Sequence, residues 1–358
     1  MLKPIVSFCL SLALTSCGTQ TLYDRGSELD RLISSGSKAL SDKQYSQAEA
    51  IFLELMKKAE RSNPNSREYN LSLHKLAEVY FEQGQYTKAE PLLQKGLALD
   101  KKRLGEDHVE VGNTLNNLGE VYREQHLYAD AEHFHREAVR IREKARGPND
   151  HLVAHSSYNL GRLYFQQNRL REAEPWYERA LAIWANSLEP ADFKIASTCF
   201  ELAETQLSLG HFSEAERSYE CAEPGMQKLF RPPQAVGALT FWNHFALAYA
   251  NQRKFSQAEP LFERSLAAAE QIYGPEHEVV AAAASSLAQA RVDQHKYGEA
   301  APLFRRAIGI FEKALSSNAP QLIGALEGYA LALEGLGRHS EASEVRMRAQ
   351  QLKRKPRA

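Results

Sequence analysis

An alanine recurs along the chain at an almost constant interval. Successive copies are 41, 42, 42, 42, 43, 42 and 42 residues apart, and they are Ala48, Ala89, Ala131, Ala173, Ala215, Ala258, Ala300 and Ala342. A glutamate directly follows the alanine in the first six copies, from Glu49 to Glu259. A period of about 42 residues held over eight copies predicts a tandem array of one structural unit.

Hydrophobic and small positions within each unit follow a helical spacing. Thirteen residues before the alanine lies a bulky apolar residue in six copies, namely Leu76, Leu118, Leu160, Leu202, Phe245 and Leu287. A small residue follows it, and four residues after it there is often a tyrosine (Tyr80, Tyr122, Tyr164 and Tyr249). This spacing puts all three positions on one helical face. Because small residues let two helices cross closely, each unit is predicted to be a helical hairpin.

Turn and cap residues predict where the helices begin and end. Ser46, Thr87, Ser213 and Ser256 each precede a glutamate by three residues, which predicts a capping box at the start of each second helix. Gly105, Gly147 and Gly274 are predicted to end second helices, because glycine adopts the positive φ that such an ending requires. The 43-residue step, which contains Arg231-Pro232-Pro233, predicts a discontinuity near residues 230–235.

Two segments carry a family resemblance, AEPLLQKGLALDKKRLGEDHVEVGNTLNNLGEVY (Ala89–Tyr122) and AEPLFERSLAAAEQIYGPEHEVVAAAASSLA (Ala258–Ala288). They resemble tetratricopeptide repeats of the 42-residue kinesin-light-chain subtype. The resemblance covers residues 27–350. It implies an all-α solenoid, a right-handed superhelix of about eight antiparallel helix hairpins. It also implies a scaffold for protein–protein or peptide binding and not an enzyme.

The same resemblance implies a peptide-binding groove along the concave face. Its residues would be Lys75, Asn117, Arg123, Asn159, Arg162 and His244. In such proteins asparagine side chains hold a peptide backbone, and basic side chains hold carboxylates. An extended peptide with an acidic group is therefore the expected ligand. Solvated polar positions without a fixed ligand are the alternative.

The first residues resemble a lipoprotein signal peptide, predicted to span residues 1–16. Lys3 precedes an apolar run, Ile5 to Leu14, that is too short to cross a bilayer. The sequence Leu14-Thr15-Ser16-Cys17 resembles a bacterial lipobox. It implies a lipid (palmitate) on Cys17, a flexible tether over residues 17–26, and an envelope protein anchored in the outer membrane and facing the periplasm. An ordinary secretory signal is the alternative.

Composition excludes some functions. The net charge is −1 with both signs interspersed, so nucleic acid is not an expected partner, and the basic tail at residues 351–358 is expected to be solvated. An exported chain permits a disulfide between Cys199 and Cys221. Two separate thiols are nevertheless the favoured expectation, because nothing in the sequence shows that the side chains face each other.

No motif for catalysis, a cofactor or a metal stands out. The chain has no phosphate-binding glycine loop, no nucleophile elbow and no zinc-type cysteine pairs. His151 and His155 share a helical face, but His151 is read as a connector residue. The leading hypothesis is a lipid-anchored binding scaffold. The alternatives are self-association through Trp176, Trp184 and Trp242, or regulation of a peptidoglycan or secretion enzyme.

Overall fold

A computed structural model of the protein describes residues 28–229, 236–314 and 320–354. Within these ranges the chain forms sixteen α-helices and no strand. The helices are α1 (Glu28–Ser41), α2 (Tyr45–Ser62), α3 (Arg67–Glu82), α4 (Tyr86–Leu104), α5 (Val109–Glu124), α6 (Tyr128–Arg146), α7 (His151–Gln166), α8 (Leu170–Trp184), α9 (Phe193–Leu209), α10 (Phe212–Leu229), α11 (Val236–Asn251), α12 (Phe255–Tyr273), α13 (Glu278–Asp293), α14 (Tyr297–Ala314), α15 (Pro320–Gly335) and α16 (His339–Arg354).

Consecutive helices form eight hairpins, α1–α2 through α15–α16. Only two or three residues separate the two helices of each hairpin, so they must run antiparallel. The repeated alanine is fully buried in all eight copies. The small residue on the first helix, twelve positions before this alanine, packs against an aromatic ring in the fourth hairpin. A Cβ added to Gly161 would lie 2.6 Å from the ring of Tyr177. The predicted all-α fold and close helix crossing are confirmed.

The glutamate after the alanine joins neighbouring hairpins. Glu49 and Glu90 accept hydrogen bonds from the tyrosines of the next hairpin, Tyr80 at 2.9 Å and Tyr122 at 2.8 Å. Farther along, Oε1 of Glu259 lies 2.9 Å from Nε of Arg291. The Ala-Glu pair of the sequence therefore has two structural roles, since the alanine closes its own hairpin and the glutamate binds the next one.

Three of the four predicted capping boxes, those at Ser46, Thr87 and Ser256, are wrong. The helices α2, α4 and α12 begin one residue before the expected serine or threonine, and their N-cap residues Gln44, Gln85 and Lys254 make no side-chain cap hydrogen bond. The chain instead turns through a residue of positive φ inside each hairpin loop. These residues are Gly84, Gly210 and Gly337 in three hairpins and Lys43, His126, Asn168, Arg253 and His295 in the others.

The described chain divides into two compact units, one ending at Leu188 and the other beginning at Glu189. Gly105 and Gly147 end α4 and α6 with φ of +88° and +90°, as predicted. In the next repeat, Glu189 occupies the place of Gly105 and Gly147. A residue with a side chain disfavours the positive φ that these two glycines adopt. The helix α8 ends early, at Trp184. The expected discontinuity at 230–235 lies outside the described residues.

Cys199 on α9 and Cys221 on α10 form a disulfide, with their Cα atoms 5.8 Å apart. The expectation of two separate thiols is therefore wrong. The two residues lie at similar distances from the hairpin turn, and the helix rotation that the sequence left open brings their side chains together. The signal peptide, Cys17 and the tether lie outside the described residues. No helix in the described part of the chain has the length and apolar character needed to cross a membrane.

Candidate functional site

The helices α5 and α7 carry four of the six residues predicted to line the groove. Asn117 and Arg123 lie on α5, and Asn159 and Arg162 lie on α7. Arg123, Asn159 and Arg162 are buried, whereas Asn117 is partly exposed. These residues and the fully buried Glu120 are called the α5–α7 cluster below. It joins the third hairpin to the fourth within the first unit.

A carboxylate lies at the centre of the α5–α7 cluster. Arg123 donates to Glu120 from Nε at 3.3 Å and from Nη2 at 2.9 Å. Nη1 of Arg162 lies 3.5 Å from Oε2 of the same carboxylate, and Nε2 of the buried His135 on α6 lies 3.4 Å from Oε1. One buried anion thus holds two guanidinium groups from consecutive hairpins.

These contacts set the charge state of the cluster. Burial alone would raise the pKa of the Glu120 carboxyl, but Arg123, His135 and Arg162 outweigh burial and hold that pKa well below its ordinary value. Burial lowers the pKa of His135, against the opposing effect of Glu120. At neutral pH Glu120 is therefore charged and His135 is neutral.

The arginines predicted to bind an acidic ligand are thus already engaged. Arg123 also contacts Glu124 at 2.5 Å and donates to Gln166 at 3.0 Å. The guanidinium of Arg162 lies 5.7 Å from the ring centroid of Tyr158. An acidic ligand would have to compete with Glu120 and Glu124 for these cations. The sequence did not show that Glu120 and Glu124 lie within ion-pair distance of these cations.

The asparagines of the cluster have unused hydrogen-bonding groups. Asn159 donates from Nδ2 to Oδ1 of Asn116 at 3.2 Å, and Ser156 donates to the same oxygen at 3.1 Å. Oδ1 of Asn159 and Nδ2 of Asn116 have no hydrogen-bond partner among the described residues. Sequence reasoning named Asn117 and missed its neighbour Asn116, because Asn116 lies one position off the repeat phase that marks the groove.

Lys75, on α3 of the same unit, is also paired. Its Nζ donates to Oε2 of Glu78 at 2.9 Å. Glu82 lies one turn farther along α3, and burial, together with the nearby Glu78, raises the pKa of its carboxyl. The predicted cation of α3 therefore lies among carboxylates, as the two arginines do.

His244 belongs to the second unit. Its Nδ1 lies 2.8 Å from both carboxylate oxygens of Glu204, which also accepts a hydrogen bond from Tyr219 at 2.5 Å. Burial opposes protonation of His244, but Glu204 outweighs burial and raises the pKa of the imidazole. Glu204 has the same place in its hairpin as Glu120, so a buried carboxylate with an aromatic partner occurs in both units.

Two of the three tryptophans offered for self-association are buried. Trp184 is 2% exposed and Trp242 is 7% exposed, so the expectation that they form exposed edges is wrong. Trp176 is partly exposed and has the guanidinium groups of Arg136 and Arg179 about its ring. Within the described residues, no three His, Cys, Asp or Glu side chains meet so as to hold a metal ion.

The chain matches a known family along its repeated part. The tetratricopeptide repeat profile matches residues 39–102, 68–144, 110–186, 152–228 and 237–313. A comparison with curated proteins gives no significant match.

Three solved structures illustrate the similarity. A repeat protein of Cytophaga hutchinsonii is 15% identical with a TM-score of 0.54, covering 82% of this chain and 98% of its own. The apo quorum sensor NprR of B. thuringiensis is 16% identical with a TM-score of 0.51, and the match covers 90% of this chain and 87% of NprR. The third structure consists of kinesin-light-chain repeats of Podosopora anserina that are nearly identical to one another. It is 24% identical to this chain with a TM-score of 0.47, and the match covers 59% of this chain and 100% of that structure.

Proposed function

Because the chain belongs to the tetratricopeptide repeat family, we propose that it is a lipid-anchored scaffold of the bacterial cell envelope that binds an extended segment of a partner protein. The repeat architecture is that of a scaffold for protein–protein contacts. The finer elements of the proposal are the binding residues, the lipid anchor and the envelope location. Each has its own support and its own test.

The observation that carries the binding proposal is the group of asparagines on α5 and α7. Asn117 is partly exposed, and its side chain makes no hydrogen bond to the described residues. Beside it, Asn116 has an unused donor and Asn159 has an unused acceptor. A peptide group offers one C=O acceptor and one N–H donor, which is the complementary set. Buried polar atoms without partners are costly, so a ligand that satisfies them gains affinity.

Charge narrows the class of ligand. Glu120 and Glu124 together balance the charges of Arg123 and Arg162, and Lys75 is paired with Glu78. The affinity is therefore expected to come from the peptide backbone and not from an acidic side chain. This revises the ligand expected from the sequence and keeps the asparagine positions.

A capture experiment tests the binding residues. Envelope membranes are solubilised in detergent, and the proteins retained by the wild-type chain are compared with those retained by the double variant Asn117→Ala/Asn159→Ala. We expect the double variant to lose a partner that the wild type retains. Asn186→Ala is the matched control, because Asn186 is exposed and bonds only within its own helix turn. An unchanged set of partners in the double variant would rule out this site.

The anchor proposal rests on Leu14-Thr15-Ser16-Cys17, and the disulfide supports export. We expect Cys17→Ser to abolish labelling with radioactive palmitate and to move the chain from the membrane fraction to the soluble fraction. Cys9→Ser is the control, because Cys9 would leave with the signal peptide. Equal labelling of wild type and Cys17→Ser would contradict the lipid anchor and leave the binding proposal standing.

A further inference from the structure

A second polar cluster lies where α3, α4 and α5 meet, apart from the α5–α7 cluster. Asp100 on α4 is 3% exposed and accepts hydrogen bonds from Nδ2 of Asn70 at 2.6 Å and from the hydroxyl of Thr114 at 2.8 Å. Nε2 of His74 lies 3.4 Å from Oδ2 of Asp100 and 3.4 Å from Oγ1 of Thr114. Three helices from two hairpins therefore contribute to one buried group of polar atoms.

The places of Asp100 and Asn70 hold apolar residues in most other hairpins, whereas the places of His74 and Thr114 are often polar. Counted by the repeat, Asp100 corresponds to Ala59, Trp184, Met226, Ala269 and Phe311, with Arg142 and Lys353 as the polar exceptions. Asn70 corresponds to alanine in three later hairpins, whereas His74 corresponds to Tyr158 and Phe200 in two hairpins and to Asn116, Asn243, Ser285 and Glu327 in four others. A buried carboxylate with polar partners is often less stabilising than apolar residues of similar volume. Asp100 and Asn70 are polar at two places that the fold elsewhere fills mostly with apolar side chains, and they therefore point to a ligand.

One atom of the cluster lacks a partner. Oδ1 of Asn70 is buried and has no hydrogen-bond partner among the described residues. A Cβ added to Gly96 would lie 3.3 Å from this oxygen and 3.0 Å from Nε2 of His74. Both atoms therefore lie beside the position that a side chain at Gly96 would occupy.

We propose that Asp100, His74, Thr114 and Asn70 bind a divalent first-row metal ion. Ligand atoms about 2.1 Å from such an ion are separated by roughly 3 to 3.4 Å in octahedral or tetrahedral geometry. The separations among Nε2 of His74, Oδ2 of Asp100 and Oγ1 of Thr114 are 3.4, 3.4 and 2.8 Å, close to those along one face of such a coordination shell. Oδ1 of Asn70 is the fourth donor.

The chemistry of the donors agrees with this assignment. One imidazole nitrogen, one carboxylate and two neutral oxygens suit Zn²⁺ or Mn²⁺. The hydroxyl proton of Thr114 has another acceptor, the carbonyl oxygen of Glu110 at 3.0 Å, so its lone pairs are available to a metal. The His74 side chain is 22% exposed, which gives an ion a route to the cluster. The bound ion would join the second hairpin to the third.

Metal binding to the full-length chain in detergent tests the proposal. The chain is stripped with EDTA, dialysed against Zn²⁺ or Mn²⁺, and its metal content is measured by mass spectrometry. We expect one ion per wild-type chain and a rise in the thermal midpoint on binding. His74→Ala and Asp100→Asn should each weaken binding at least about tenfold. His133→Ala and Asp293→Asn are the matched controls and should bind as the wild type does, because both residues are exposed and lie on helices other than α3, α4 and α5.

A variant that repacks the cluster separates metal binding from folding. Asn70→Ala/His74→Phe/Asp100→Ala places apolar residues where other hairpins have them, so it is expected to fold and to lose the metal-dependent rise in thermal midpoint. The proposal is overturned if folded wild type binds neither ion, or if His74→Ala and Asp100→Asn bind as tightly as the wild type. Neither outcome bears on the peptide-binding proposal.

Discussion

Arg123 donates two hydrogen bonds to Glu120, one turn earlier on α5, and both side chains are buried. The same carboxylate lies 3.5 Å from Arg162 on the next hairpin. The buried arginines of two hairpins therefore share the Glu120 carboxylate as a counter-charge. This relationship determines both the stability of the first unit and the kind of ligand that it can hold.

We expect Glu120→Gln to destabilise the first unit strongly, because it leaves the arginines without their buried counter-charge. Loss of one partner of a buried ion pair costs about 3–5 kcal/mol. Urea unfolding followed by circular dichroism measures the change in free energy of unfolding. Glu137→Gln is the control, since Glu137 lies on the exposed face of α6 and its ion pair with Arg140 is at the surface. A similar, small effect of both substitutions would contradict the assignment.

The pH dependence of stability follows from the same carboxylate. The pKa of Glu120 in the folded chain is well below its ordinary value of 4.5. A depressed folded pKa contributes stability above pH 4.5 that is lost as the pH falls toward the folded pKa. Acid titration of the free energy of unfolding should therefore show a steeper loss below pH 4.5 for the wild type than for Glu120→Gln. Parallel curves would count against a charged, buried Glu120.

The N-caps of the inter-hairpin loops offer a stabilising substitution. Nδ1 of His108 accepts a hydrogen bond from the backbone N–H of Glu110 at 3.2 Å, whereas Asp150 caps α7 at 2.8 Å. Aspartate is a better N-cap than histidine, and its negative charge is stabilised by the positive end of the helix dipole. We expect His108→Asp to raise the free energy of unfolding by about 0.5–1 kcal/mol. Asp150→Ala should lower it by about 1 kcal/mol. A loss of stability in His108→Asp would show that the imidazole has another role.

The disulfide is expected to stabilise the second unit. The two cysteines are 22 residues apart, and closing a loop of that size contributes about 3 kcal/mol in the chain-entropy account. The non-reduced chain should expose neither Cys199 nor Cys221 to alkylation in urea, and reduction should lower the midpoint of unfolding. The double variant Cys199→Ala/Cys221→Ala should be insensitive to reductant. Alkylation of both cysteines without reductant would contradict the bridge.

Features repeated along the chain could be predicted from the sequence, since periodic residues reflect packing that recurs in every hairpin. The buried alanines and the glycine ends at Gly105 and Gly147 are examples. Contacts specific to one hairpin could not be predicted. The pairing of Arg162 with Glu120 joins residues 42 positions apart, and it depends on how two hairpins are rotated against each other.

The sequence does differ from the repeat at the boundary between the two units, but the constant spacing made the difference easy to miss. Glu189 replaces the glycine of the earlier loops without changing the 42-residue step, whereas the 43-residue step drew attention to residues 230–235. The buried state of Trp184 and Trp242 was missed for a different reason. Their places in the repeat are filled by residues of different size in each hairpin, so no pattern marks them as core.

Photo-crosslinking from position 117 tests the central claim most directly. A photoreactive amino acid replaces Asn117 in the full-length chain, and the membranes are irradiated intact. A second chain carries it at Arg140, on the exposed face of α6. We expect position 117 to give a crosslinked partner that disappears when Asn159→Ala is added, and position 140 to give none. Equal crosslinking from both positions, or a partner unaffected by Asn159→Ala, would contradict a binding site formed by α5 and α7.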